Sequence, residues 1–186
     1  CIMKELTKRI LTSLFLLIIL TIAFFYSYML IILLIFVSFV SWIEFSGLIS
    51  KIFRKKEFKT NFLKLLIKTI SLIYLTFFSA IIFEGVTTEV KIYMVFLFSV
   101  CICSDIGGFI FGKFFKGKKL TKISPNKTIS GSIGSFILSL LTAPIFYYIL
   151  ENPYDLFFLI ILAIIISFTC QLGDLFISYL KRKAKV

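Results

Sequence analysis

Two aspartates lie within long apolar runs of the sequence. Asp105 has thirteen uncharged residues before it and seven after it, and Asp174 precedes Lys181 by seven residues. A charge inside a membrane span costs about 2.5–3.5 kcal/mol on insertion scales, so it usually faces a cavity or a partner. Carboxylate oxygens are also the ligands that Mg²⁺ prefers. The two aspartates therefore predict a site for Mg²⁺ or another divalent cation. Pairing of each carboxylate with a lysine is the alternative.

The segment around each aspartate adds to this prediction. At 1.5 Å per residue, Asp105 lies about 12 Å and Asp174 about 10 Å from the cationic end of its run, which places them at similar depth. Gly108 and Gly112 share the helix face of Asp105, where small residues let a helix or a substrate approach closely. Ordinary helix packing would also explain these glycines.

A stripe of polar residues follows Asp174 on its helix. Ser178 and Lys181 lie at i+4 and i+7 from Asp174, so the three side chains share one face, and Arg182 comes next. An acid, a hydroxyl and a base on one stripe can bind a metal together with a phosphate.

The stretch KISPNKTISGS, residues 122–132, joins two apolar runs and is rich in donors for phosphate oxygens. Pro125 and Asn126 predict a turn, and the next helix is expected to begin near Thr128 or Ile129. A helix N-terminus favours an anion. The stretch therefore predicts a phosphate-binding loop, with a plain polar connector as the alternative. The candidate donors are Lys122, Ser124, Lys127, Thr128 and Ser130.

These residues must be positioned by membrane helices. The chain has 186 residues, a mean hydropathy of +1.06 and 24 phenylalanines, more apolar surface than a soluble domain of this size can bury. The uncharged run 10–43 is long enough for two spans that meet at Tyr26–Tyr28. The other predicted spans centre on 65–83, 92–112, 129–150 and 156–173. We predict an all-α, polytopic integral membrane protein with about six transmembrane helices.

The distribution of charge predicts the orientation of these spans. Most lysines and arginines fall at both ends of the chain and in alternate connections, including residues 113–128. The positive-inside rule then places both termini and the 113–128 loop in the cytosol. Topology accounts for most of the net charge of +12. Nucleic-acid binding is not predicted, because it needs a basic face on a folded soluble domain.

The four cysteines do not predict a metal or disulfide framework. Cys101 and Cys103 lie on nearly opposite helix faces, Cys1 and Cys170 are distant in sequence, and the chain has no histidine. We interpret the cysteines as small apolar residues within helices.

Three segments together resemble the phosphatidate cytidylyltransferases, also called CDP-diacylglycerol synthases. Ser104–Gly112 matches the family's Ser-Asp-x-Gly-x-x-x-x-G stretch, and Ser124–Gly131 matches its Ser-Pro-x-Lys-Thr-x-x-Gly loop. Gln171–Arg182 matches its Gln-Leu-Gly-Asp-Leu-x-x-Ser-x-x-Lys-Arg motif. The early Trp42–Phe45 also looks like an aromatic-Glu element of this family, so the resemblance covers nearly the whole chain.

The resemblance implies an all-helical enzyme of the bacterial inner membrane with a cytosolic active face. Its reaction would transfer CMP from CTP to phosphatidate, releasing pyrophosphate. Asp174 and Asp105 would be the metal and catalytic residues, with Lys127 as a further catalytic and substrate-binding residue. The remaining substrate-binding candidates are Ser124, Asn126, Thr128, Ser178, Lys181 and Arg182. A homodimer is left open.

The sequence departs from the family pattern at its end. The family continues past the Lys-Arg pair with Pro-Gly-His-Gly-Gly and Asp-Arg-x-Asp stretches, which include a second metal-binding aspartate. We therefore expect residues 1–186 to be one membrane-embedded domain, C-terminally truncated and unable to complete its active site alone. A CTP-dependent polyprenol or lipid kinase and a non-enzymatic transporter subunit are the rival functions.

Overall fold

The computed structural model describes residues 2–53, 58–121, 124, 127–149 and 155–186, which fold almost entirely into α-helices. Within these ranges there is no β-strand, and one isolated antiparallel bridge pairs Lys119 with Thr128. The predicted all-α fold is confirmed. The helices are α1 Ile2–Phe25, α2 Ser27–Ile52, α3 Phe58–Thr87, α4 Lys91–Phe115, α5 Ile129–Leu140, α6 Thr142–Ile149 and α7 Leu156–Lys183.

Among the described residues, five helical segments are long and apolar enough to cross a membrane. They match five of the predicted spans, which confirms a multi-pass membrane protein. The remaining predicted span coincides with α1, whose apolar segment Leu14–Phe25 is shorter than the ~20 residues that a span needs. The cytosolic placement of the termini and of the 113–128 loop stays a prediction. The five segments are Ser27–Ile52, Thr60–Thr87, Lys91–Phe115, Ile129–Ile149 and Leu156–Lys183.

Two interruptions between helices follow from the local sequence. Tyr26 separates α1 from α2, within the weakly polar stretch where a break was predicted. Leu141 separates α5 from α6, and Pro144 follows in the first turn of α6. Proline has no backbone N–H to donate to the preceding turn, so a continuous helix is interrupted just before it.

The described residues form two compact units. The first contains those within 1–47 and 55–89, and the second those within 48–54 and 90–186. In the first unit, the hydroxyls of Ser38 and Ser79 lie 2.7 Å apart, and the indole N–H of Trp42 donates to the backbone oxygen of Lys68 at 3.2 Å. These bonds join α2 to α3 beside a mainly apolar groove of about 380 Å³. The single domain predicted for 1–186 stays a prediction.

The second unit has an apolar core at one end of α4 and α7. Phe96 and Phe146 meet edge to face with ring centroids 5.1 Å apart, and Leu159 and Ala163 of α7 are buried against them. Apolar burial of this kind contributes about 25 cal/mol per Å² removed from water in a soluble protein, but close van der Waals contact is the stabilising term between helices in lipid. The core holds α4, α6 and α7 together at this end of the unit.

Candidate active site

Glycines let α4 and α5 approach one another until their backbones touch. A Cβ placed on Gly107 would overlap the backbone oxygen of Gly134, and one on Gly131 would lie 2.8 Å from the backbone oxygen of Gly108. Both separations are too short for any side chain. These glycines therefore set the distance between the helix that carries Asp105 and the helix that follows the basic loop.

The loop between α4 and α5 folds back on itself and fixes the position of Lys127. The backbone N–H of Leu120 donates to the oxygen of Lys127 at 2.8 Å, and the N–H of Ile129 donates to the oxygen of Lys118 at 2.9 Å. The N–H of Lys127 also donates to the oxygen of Ser124 at 3.1 Å. Backbone pairing on both sides thus holds Lys127 immediately before α5.

Thr128 is the N-cap of α5. Its backbone is extended, with φ −111° and ψ 156°, and its hydroxyl accepts a hydrogen bond from the N–H of Gly131 at 3.1 Å. This is the usual way in which a threonine satisfies a free N–H at a helix start. Because Ile129 and Gly131 already use their N–H groups, an anion near this end would depend chiefly on side chains. The predicted contribution of free helix N–H groups is thereby reduced.

Lys127 and Asp174 form an ion pair across the site. Lys127 Nζ lies 2.8 Å from Asp174 Oδ2, and the two side chains are 28% and 62% exposed. The pair joins the basic loop to α7. A partly exposed pair is weak as a source of stability. It does, however, keep an ammonium and a carboxylate in one place without removing either from water.

A single cavity brings the two aspartates and the lysine together. Asp105, Lys127 and Asp174 all line it, and its volume is about 210 Å³. Whole-ligand pockets are typically about 300–1,000 Å³, so this cavity suits a phosphate group with its counter-ions better than an entire nucleotide. The other lining residues are Ser104, Gly108, Phe109, Leu120, Thr128, Gly131, Ser132, Ser135 and Gln171.

Polar side chains tie the walls of this cavity to one another. The Ser132 hydroxyl donates to Gln171 Oε1, and Gln171 Nε2 donates back to the Ser132 backbone oxygen at 3.5 Å. These two bonds join α5 to α7. The buried hydroxyls of Ser104 and Ser167, 2.9 Å apart, join α4 to α7. All three helices that line the cavity are therefore linked by at least one hydrogen bond or ion pair.

A comparison with known proteins assigns the family. A family model described as the cytidylyltransferase family matches residues 3–186. The chain belongs to the cytidylyltransferase family.

Curated relatives of this cytidylyltransferase chain carry the name phosphatidate cytidylyltransferase. The protein of Rickettsia typhi is 36% identical over 115 residues, which is 58% of this chain and 50% of the relative. The protein of Staphylococcus saprophyticus is 40% identical over 91 residues, and that of Bacillus subtilis is 34% identical over 93 residues. Each of these two alignments covers 48% of this chain and 35% of the relative. The chain thus matches half or less of the length of these relatives, and no solved structure matches it.

The donor set of the cavity suits a hard cation only in part. The described residues contain no group of three or more carboxylate, thiol or imidazole side chains able to hold a metal ion. Every buried polar side-chain atom among them has a hydrogen-bond partner, so no unpaired buried atom indicates a ligand. Mg²⁺, however, commonly binds through one or two carboxylates plus substrate phosphates and water. Asp105 and Asp174 fit that smaller requirement.

Several predicted site residues lie outside the cavity. Ser124 is 8% exposed, and its N–H donates to the Thr121 hydroxyl at 3.2 Å, so it supports the loop. Ser178, Lys181 and Arg182 follow Asp174 on α7 and are not among the residues that line the cavity. Asn126 lies outside the described residues. The roles assigned to all of these residues stay predictions.

The structure adds lining residues to which sequence reasoning gave no role. Ser132 and Ser135 lie four and seven residues after Thr128, and Gln171 lies three residues before Asp174. Each spacing places the new residue on the same helix face as a predicted one. That periodicity was the signal from which these residues could have been predicted.

Proposed function

We propose that the protein containing this chain transfers CMP from CTP to phosphatidate, giving CDP-diacylglycerol and pyrophosphate. Membership of the cytidylyltransferase family and the printed names of the curated relatives support this reaction. The observation that carries it is the convergence of Asp105, Lys127 and Asp174 on one cavity. These residues come from three separate segments, and together they offer the mixed charge that phosphoryl chemistry needs.

In the proposed reaction, an oxygen of the lipid phosphate attacks the α-phosphorus of CTP. A new P–O bond forms, the bond to the bridging β-oxygen breaks, and pyrophosphate leaves with the electron pair. Such a transfer depends mainly on positioning and on neutralising phosphate charge. The residues of this chain therefore need to bind and orient the phosphates rather than form a covalent intermediate.

Lys127 is the residue we assign to the phosphates of CTP. Its ammonium already lies at the cavity and can donate to a phosphate oxygen while remaining near Asp174. Asp174 keeps the lysine from turning away into solvent. Thr128 and Ser132 place hydroxyls on the adjoining wall of α5, where they can donate further hydrogen bonds.

Asp105 and Asp174 are the residues that would hold Mg²⁺ or another divalent cation. When bound, such a cation supplies positive charge that offsets the charge of the phosphates. Its charge would also offset the repulsion between the two carboxylates. Lys127 would share Asp174 with it.

We place the active face in the cytosol of a bacterial inner membrane. Basic residues at both ends of the chain and in the 113–128 loop support this orientation through the positive-inside rule. CTP would then reach the cavity from the cytosol, and phosphatidate would enter sideways from the bilayer. Lys181 and Arg182, in the last turn of α7, are assigned to phosphate charge at the membrane surface, and Ser124, Asn126 and Ser178 to supporting contacts.

The test supplies the full-length protein in membranes with phosphatidate and CTP carrying a radiolabel at either the α- or the γ-phosphorus. The proposal expects label in the lipid only from the α position. Label in the lipid only from the γ position would identify a lipid kinase and overturn the proposal.

A Lys127→Ala variant separates the enzyme from a transporter. The proposal expects this variant to bind nucleotide more weakly and to transfer CMP about 100-fold more slowly. A transporter of ions through the acidic residues would retain its transport in this variant. Retention of CTP binding and transfer by Lys127→Ala would contradict the role given to this lysine.

A further inference from the structure

Two cysteines meet between the helices that carry the aspartates. Cys101 Sγ on α4 lies 3.2 Å from Cys170 Sγ on α7, although the residues are 69 positions apart in sequence. Both are free thiols and both are partly exposed. Cys103, two residues from Cys101, is also a free thiol, but the helical rotation of about 200° between them turns it to a different face.

The position of the thiol pair connects it to the cavity. Cys101 precedes Asp105 by four residues and Cys170 precedes Asp174 by four, so each thiol lies about 6 Å along its helix from a lining carboxylate. The neighbouring Ser104–Ser167 hydrogen bond shows that α4 and α7 are already in contact here. A covalent bond at this point would restrain the spacing of the two helices.

We propose that Cys101 and Cys170 form a redox-sensitive pair, which a peroxide converts to a disulfide that joins α4 to α7 and slows the reaction at the cavity. One thiolate sulfur attacks a peroxide oxygen, which gives a sulfenic acid and releases water or an alcohol once protonated. The second thiol displaces water from the sulfenic acid and forms the S–S bond. Two thiols are oxidised and one peroxide is reduced, so atoms and electrons balance.

The structure favours the second of these steps. The resolving thiol is already in contact with the sulfur that would be oxidised, so the sulfenic acid is consumed without a search for a partner. Both sulfurs are partly buried, so the oxidant we propose is a small neutral one, hydrogen peroxide.

The test uses the full-length protein in membranes, with every cysteine other than Cys101 and Cys170 replaced by serine. After treatment with hydrogen peroxide, free thiols are blocked, disulfides are reduced, and the released thiols are labelled with a maleimide–polyethylene glycol probe. The proposal expects two probes on each oxidised chain and no dimer on a non-reducing gel. The matched control keeps Cys103 and Cys170 and carries Cys101→Ser, and it is expected to take up fewer probes, since only a sulfenic acid on a thiol without its partner can be reduced and labelled.

Absence of probe in the first protein, or equal labelling in the control, would contradict a disulfide between Cys101 and Cys170. The same experiment on the unmodified protein, read by mass spectrometry as a cross-linked peptide pair, keeps the test valid if a serine variant fails to fold.

The effect on rate rests on the proposed function. CMP transfer is expected to fall at least tenfold on oxidation and to return with dithiothreitol, while Cys101→Ser is unaffected by peroxide. A cross-linked protein with unchanged activity would overturn the regulatory part. A reduced protein with no CMP transfer would count against the proposed function and leave the cross-link result standing.

Discussion

The contact between α2 and α3 differs from the contact between α4 and α5. In the first unit, α2 and α3 border a groove lined by residues such as Ile35, Phe39 and Leu72. In the second unit, Gly107 and Gly134 bring the backbones into direct contact. The first contact borders an apolar groove, and the second borders the cavity that contains Asp105 and Lys127.

In the second unit, α5 buries small residues. The buried residues of α5 are Gly131, Gly134, Ser135 and Ser139, which are all small, and two of them line the cavity. In a membrane, small and weakly polar residues allow close approach and supply hydrogen bonds, because lipid offers no hydrophobic drive between helices. Close packing and polar chemistry therefore occur together in the second unit.

The largest expected effect comes from removing the charge of Asp174. Asp174→Asn loses both the partner of Lys127 and a proposed metal ligand, and CMP transfer by the full-length protein should fall by about 1,000-fold. Asp155→Asn is the matched control, because Asp155 lies just before α7 at its other end and makes no side-chain cap. Initial rates at saturating CTP check the prediction. Equal losses in the two variants would contradict a site confined to the cavity.

Lys127→Ala should lower activity by about 100-fold, since one charged donor to phosphate is lost. Its free energy of unfolding should change by less than about 1 kcal/mol, because the ion pair with Asp174 is partly exposed. Lys183→Ala is the control, since Lys183 Nζ lies over the Tyr179 ring at 5.8 Å and outside the cavity lining. Rates and thermal unfolding are measured on the same preparations. A parallel loss of folded protein would make Lys127 a structural residue.

Replacing a glycine by alanine is expected to have opposite effects on stability in the two units. Gly107→Ala places a methyl group against the backbone of Gly134 and Ser135, and should destabilise the protein by about 1–3 kcal/mol. Gly47→Ala, in the first unit, meets no atom within 4 Å and should stabilise α2 by up to about 1 kcal/mol. Thermal midpoints in detergent report both changes. A tolerated Gly107→Ala would show that the α4–α5 contact is looser than its backbone distances indicate.

The smallest expected effect concerns the hydrogen bond between two serine hydroxyls that occurs in each unit. Ser104 and Ser167 are buried, whereas Ser38 and Ser79 border the open groove of the first unit. Double-mutant cycles to alanine should give coupling of about 1 kcal/mol for the buried pair and less for the other; hydrogen bonds between membrane helices average about 0.6 kcal/mol and reach about 1.7 kcal/mol. Unfolding in a denaturing detergent measures both cycles. Equal coupling would show that burial adds nothing here.

Much of the helical framework could be predicted from the sequence. Five predicted spans coincide with apolar helices, and the break predicted at 26–28 occurs at Tyr26. The boundaries were less accurate. α4 runs to Phe115, beyond Lys113 where the loop was predicted to begin, because a basic residue at a helix C-terminus is favourable and does not end the helix.

The principal charged residues of the site could be predicted from the sequence, and the uncharged residues that line it less so. Asp105, Asp174 and Lys127 were chosen because charge is costly in a span or because donors suit phosphate, and these three residues do line one cavity. For Ser132 and Gln171 the only signal was their helical spacing from Thr128 and Asp174, which is weaker because a hydroxyl or an amide in a helix is often a packing residue. The contact of Cys101 with Cys170 was also missed. The cysteines were interpreted as small apolar residues, and neither spacing nor motif joins these two.

The sequence by itself determined that this is a helical membrane protein of the cytidylyltransferase family and which of its charges need a partner. Hydropathy and charge act over a window of neighbouring residues, so they can be read without knowing what the helix meets. Tertiary structure decided that Lys127 pairs with Asp174, that the basic loop folds back through Lys118 and Leu120, and that two thiols meet. Those contacts depend on which helix faces touch. The close approach of helices at glycines such as Gly107 determines these faces, and it exists only in the folded chain.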